Sequence, residues 1–185
     1  MKKALLIASV LFIAVVSTAC INNIAVQELN NKAAEYMQKG DYEAAINRLE
    51  ASIDLDATMY ETYYNLGIAA TNAKKYDKAI EAFNSGIKVK SDYPDFYYSL
   101  GVAQLEYADF LLEDEIFDKD KEETVKKEVS VTDREKAEAY KKLAADNLTK
   151  YLELKPDAAD KNDVEELIKN CNEAPKEEPT KLLKG

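Results

Sequence analysis

Cys20 and Cys171 are the only thiols in this chain, and it holds no histidine at all. That combination removes most side-chain chemistry. Ser-His-Asp and Cys-His catalysis both need an imidazole base. Zinc sites draw on histidine or on several cysteines. Cys171 lies on an apolar helical stripe with nothing beside it in sequence to lower its pKa, so it reads as small core filler. If Cys20 reaches an oxidising compartment as a free thiol, a Cys20–Cys171 disulfide is the alternative. The run DKDKEE at 118–123 has the look of half a calcium loop. Such a loop needs Gly at its sixth position and Glu at its twelfth, where this chain has Glu123 and Val129, so the run reads as a solvated charged tip. We therefore expect no catalytic residues, no metal site and no cofactor. The net charge of −10 repels phosphate backbones and argues against nucleic acid as a partner.

Around these residues the chain must fold as helices. Five Gly and four Pro are few for a turn-rich β fold, and 46% apolar residues suffice for a core. Twelve Tyr and no Trp leave tyrosine to supply much of the bulky packing.

Residues 1–20 read MKKALLIASVLFIAVVSTAC. Two lysines precede an uncharged run at 4–16, and the small residues Ser17, Thr18 and Ala19 lead to Cys20, the layout of a bacterial secretory signal. This junction resembles a bacterial lipobox, with Ser17 standing where the family usually has Leu. The resemblance implies a lipoprotein-type signal over 1–19 and acylation of Cys20 as the first mature residue, with 20–25 as a tether. Acyl chains hold a membrane at about 0.8 kcal/mol per buried CH₂. Plain secretion with cleavage after Ala19 and an uncleaved anchor over 4–21 are the alternatives. Ile21 after the cysteine points to the outer membrane, facing the periplasm, by the sorting rule of that family.

From residue 26 the chain repeats itself every 34 residues. Leu29 maps to Tyr63 and Tyr97, and Ala33 to Gly67 and Gly101. Tyr42 maps to Tyr76, Ala45 to Ala79, Leu49 to Phe83, Ser52 to Gly86 and Ile53 to Ile87. That period marks a helix-turn-helix array. GDYEAAINRLEASIDLDA (40–57) and KKYDKAIEAFNSGIKVKS (74–91) resemble the second helix of tetratricopeptide repeats, and YYNLGIAA (63–70) and YYSLGVAQ (97–104) resemble the first. The resemblance implies an all-α, right-handed solenoid of about three helix pairs with a concave groove. The pairs are 26–59, 60–93 and 94–156, within a domain over 26–171. Gly67, Gly86 and Gly101 cost about 1 kcal/mol each against Ala inside a helix, so they are expected at tight helix crossings. Capping boxes are expected at Thr58–Glu61 and Thr132–Glu135.

The third pair is stretched. Ala144, Leu148 and Leu152 match Ala79, Phe83 and Ile87 at an offset of 65, which places an insertion at about 110–134. Its first helix should run to about Glu115, giving a long helical hairpin with a charged tip over 117–131. Tyr151 replaces the small Gly86, and Lys141 stands where Tyr76 predicts an aromatic. A capping helix is expected at about 158–171, followed by a Pro-containing charged tail at 172–185 that reads as disordered.

In the tetratricopeptide family the first helix of each pair lines the groove. Carried over position by position, the apolar part of the lining is Met37, Tyr64, Ile68, Tyr98, Val102 and Leu105. This surface suits a partner helix or an extended peptide, or else packs beneath other parts of the chain. A basic clamp for a terminal carboxylate is not expected, because its basic positions hold Asn30, Asp95 and Ser99. The function expected is a membrane-anchored adaptor for protein–protein interaction in the bacterial cell envelope. The alternative is a periplasmic ligand-binding lipoprotein associated with a solute transporter, its groove closing on a small apolar molecule.

Overall fold

The computed structural model describes residues 23–113, 115–118, 123–126 and 128–172. The segment expected to be a signal, Cys20 and the tail from 173 lie outside the described residues, as does part of the hairpin tip. Helices follow one another as α1 (23–38), α2 (Tyr42–Leu55), α3 (Tyr60–Asn72), α4 (Tyr76–Val89) and α5 (Pro94–Leu112). A ribbon of β1 (Glu115–Asp118) and β2 (Glu123–Lys126) comes next, then α6 (Val131–Leu154) and α7 (Lys161–Asn172). The core is entirely helical, as the 34-residue period requires.

The repeat appears in the hydrogen bonds as clearly as in the side chains. At the end of α1, Asp41 N donates to Tyr36 O and Gly40 N to Met37 O. At the end of α3, Lys75 N donates to Ala70 O and Lys74 N to Thr71 O, the same pair one period later. Both turns are Schellman closures, whose key residue takes a left-handed conformation. Gly40 does so at φ 74°, and Lys74 does so at φ 57° with a side chain attached. The second helices of the pairs, α2, α4 and α6, close alike, with Asp56 N donating to Ser52 O, Lys90 N to Gly86 O and Lys155 N to Tyr151 O. The spacings of 34 and then 65 place α6 in the expected register.

Packing follows that register. A Cβ on Gly67 would clash with the ring of Phe83, and one on Gly101 would meet Leu148 Cγ at 2.9 Å. Leu148 therefore does in the third pair what Phe83 does in the second, and both are fully buried. Gly86 leaves room for Phe96 of the next pair. Each such side chain contributes about 1.5–3 kcal/mol by leaving water. Tyr151, too large for the Gly86 role, is buried by turning against Tyr98, with ring centroids 5.2 Å apart. Its hydroxyl donates to Asp160 Oδ1 at 2.8 Å, which ties α6 to the start of α7.

Four local expectations are corrected. α5 stops at Leu112, because the chain turns into the ribbon before reaching Glu115. The tip is built on antiparallel pairing, Glu115 opposite Lys126 through Asp118 opposite Glu123. Ser130 rather than Thr132 caps α6, accepting from Asp133 N at 3.0 Å. The box at Thr58 does not form. Met59 is the N-cap of α3 without a side-chain bond, and the Thr58 amide and hydroxyl turn back to Asp56 Oδ1. The aromatic missing at Lys141 is supplied by Tyr140, whose ring lies 4.8 Å from Tyr107.

Candidate functional site: the A-helix face

The first helices of the pairs, α1, α3 and α5, carry the residues expected to line a groove. All six apolar ones are half-buried, and they divide by what they touch. Met37, Tyr64 and Ile68 pack on the core cluster of the first two pairs and the start of α5. Tyr98 and Leu105 pack on the cluster that α6 and α7 share. Val102 belongs to neither cluster, so it is the apolar side chain on this face with the least internal work to do.

Asn30, Tyr64 and Tyr98 occupy one position in successive repeats, Asn30 and Tyr64 reaching the seam to the next pair and Tyr98 the seam that α6 shares with α7. Tyr64 wedges its ring against Phe96 at 5.7 Å, Tyr93 at 5.8 Å and Phe83 at 6.1 Å, and the Ser99 hydroxyl donates to its oxygen at 3.4 Å. Tyr98 packs its ring at a tilt against Tyr151. In the first repeat the seam is polar instead. Ser52 and Thr62 stand where the next repeat along has Gly86 and Phe96, and both are fully buried. Asn30 Nδ2 lies 2.9 Å from Ser52 Oγ, 3.1 Å from Thr62 Oγ1 and 3.0 Å from Val26 O. Its Oδ1 is buried without a donor. The signal for this polar seam was the pair of hydroxyl residues at two packing positions of the repeat, and the period alone did not weigh it.

Beside that seam an open cleft of about 300 Å³ runs between α1 and α3, lined by Gln27, Asn30, Asn31, Met59, Glu61 and Asn65. A second open cleft, about 330 Å³, lies at the base of the hairpin against Lys74, Lys75, Lys78, Tyr76, Tyr107 and Phe110. Its lysines are partly neutralised, Lys75 by Glu43 and Lys78 by Glu50. Tyr107 donates to Asp77 Oδ2 at 3.1 Å and accepts from Lys136 Nζ at 2.7 Å. These bonds fasten α4, α5 and α6 at the root of the hairpin.

Titration reflects burial more than pairing on the A-helix face. Tyr93 is pushed up to about 12, first by burial and then by the charge of Asp95. Glu106 is raised by burial and then by Asp109, with Lys74 partly opposing. Cys171, half-buried on α7, has its thiol pushed up by burial, which fits a packing role. Among the described residues no group of three or more His, Cys, Asp or Glu side chains is placed to hold a metal ion, and no helix is long and apolar enough to cross a membrane.

No curated protein matches this chain at the level of sequence. The family model described as TPR repeat matches residues 33–70 and 71–106. Solved structures match much more of the chain. It is similar to the Arabidopsis OM64 TPR domain at 15% identity and TM-score 0.59, over 80% of this chain and 98% of that one. It is similar to the second TPR domain of human RPAP3, solved with the HSP70 peptide SGPTIEEVD, at 13% identity and TM-score 0.60, over 83% and 99%. It is also similar to the Yersinia enterocolitica type III secretion chaperone SycD, solved with a peptide of the translocator YopD, at 17% identity and TM-score 0.57, over 78% and 90%. The chain thus carries TPR repeats across 33–106 and folds as an all-α TPR solenoid.

Proposed function

We propose that this chain is an adaptor of the bacterial cell envelope that captures a segment of another protein on its A-helix face, held at the membrane by a lipid on Cys20. The observation that carries the reading is the face itself. Tyr64, Ile68, Tyr98, Val102 and Leu105 form an apolar strip across α3 and α5 that the rest of the described chain leaves half open. Exposed apolar strips of this kind suit peptide segments with apolar anchors. Human RPAP3 and Yersinia SycD are solved with peptides, which supports a peptide as the class of partner. The clefts described above are open rather than enclosed, which favours a peptide over a sequestered small molecule. With no histidine anywhere in the chain, a binding role is favoured over an enzymatic one. The envelope location rests on the lipobox-like signal, with the outer membrane, periplasmic side, as the proposed destination.

Two experiments test the two halves. Mass spectrometry of the mature N-terminal peptide should find Cys20 acylated, and a free Cys20 refutes the anchor. Pull-down from detergent-solubilised cells should lose partner protein on Val102→Gln. That substitution keeps the charge and suits a helix, whereas changes at Tyr64 or Tyr98 would disturb the seams. Equal recovery by wild type and variant removes this face from the account.

A further inference from the structure

We infer that the segment bound on the A-helix face is a basic one, an extended peptide with Lys or Arg on either side of apolar anchors. The inference deepens the proposed function and rests on the same face. The apolar strip on α5 ends in a carboxylate at each side, Asp95 at the start and Glu106 near the far end, with Tyr98, Val102 and Leu105 between them. On α3, Glu61 holds the position of Asp95 one repeat earlier. None of these three makes an ion pair with a Lys or Arg among the described residues, although Lys90, paired with Asp92, also acts on Glu61 and Lys74 acts on Glu106. Glu106 is raised by partial burial and by Asp109, and Lys74 offsets only part of that. The cleft between α1 and α3 has the same bias. Its lining holds Glu61 and no cation, and the buried Oδ1 of Asn30 beside it lacks a donor.

The three carboxylates on this face lack a paired cation, and a basic segment would supply one. A peptide ending in acidic residues would meet carboxylates and no counter-ion, and would bring like charges together in a partly desolvated groove. The geometry also sets a spacing. From Asp95 to Glu106, at about 1.5 Å per residue, is about 16 Å along the helix. An extended chain rises about 3.3 Å per residue, so two basic residues about five positions apart would reach both carboxylates with apolar side chains between.

Selection of random peptides displayed on phage, against the full chain in detergent, tests this directly. The expected result is enrichment of Lys and Arg over Asp and Glu, with binding lost on Val102→Gln. Asp95→Asn with Glu106→Gln should weaken the selected peptides about fivefold, the range for two partly exposed charge pairs. Circular dichroism melts confirm that the variants fold. If the selected peptides are acidic or show no charge bias, yet are lost on Val102→Gln, the basic-segment inference is overturned and the groove stands. If binding survives Val102→Gln, or no groove-dependent peptide emerges, the groove reading falls and this inference with it.

Discussion

Lys74 sits in the left-handed turn that Gly40 occupies one repeat earlier, with the same pair of closing hydrogen bonds. A side chain in that conformation costs roughly 1 kcal/mol, and glycine avoids the clash. Lys74→Gly should therefore raise the free energy of unfolding by about 0.5–1 kcal/mol despite the entropy of the added glycine. Urea denaturation measures it, and a loss of stability would mean that Lys74 contributes through its side chain instead. Tyr151 gives a second residue-level test. Burial first, then the bond to Asp160, pushes its phenol up to about 12 from a usual value of 10.0. A pKa raised in the folded state stabilises below the unfolded value and is lost as pH climbs through the folded one. Stability from Tyr151 should hold up to about pH 10 and fade toward pH 12. Melting temperature followed across that range should fall less steeply in Tyr151→Phe than in wild type.

At the scale of elements, the chain divides into helices that must stack and a ribbon that need not. α4 and α5 meet through Phe83, Gly86 and Phe96, and α5 and α6 through Gly101 and Leu148, so these helices bury one another's large side chains. The strands β1 and β2 pair chiefly with each other. Replacing 115–126 with a short Gly-Ser linker should move the melting temperature by no more than about 3 °C, since it removes little packing. A drop well beyond that would give the ribbon a structural role. The contrast also explains what was legible in the sequence. The period of 34, the offset of 65 and the three glycines report close-packed crossings, and those appear where the repeat puts them. The ribbon, the end of α5 and the caps depend on local competition between short hydrogen bonds, which periodicity does not record. Thr58 illustrates this, since its nearest acceptor is Asp56 rather than the start of α3. The division of the groove residues was hidden for a related reason. Tyr64 and Tyr98 occupy lining positions, yet Phe96 of the next pair and Tyr151 of α6 come near enough for each ring to serve a helix seam as well.

For the whole molecule, the central claim is that an apolar, acid-flanked face on α3 and α5 takes hold of another protein. The rival surface is the projecting hairpin, whose ribbon exposes Thr124. A photo-crosslinking amino acid placed singly at Val102, at Thr124 and at the exposed Glu81 on the opposite helix layer, in living cells, separates them. A discrete crosslinked protein adduct is expected from Val102 and none from Thr124 or Glu81. An adduct from Thr124 with none from Val102 would contradict it and move the binding surface to the hairpin.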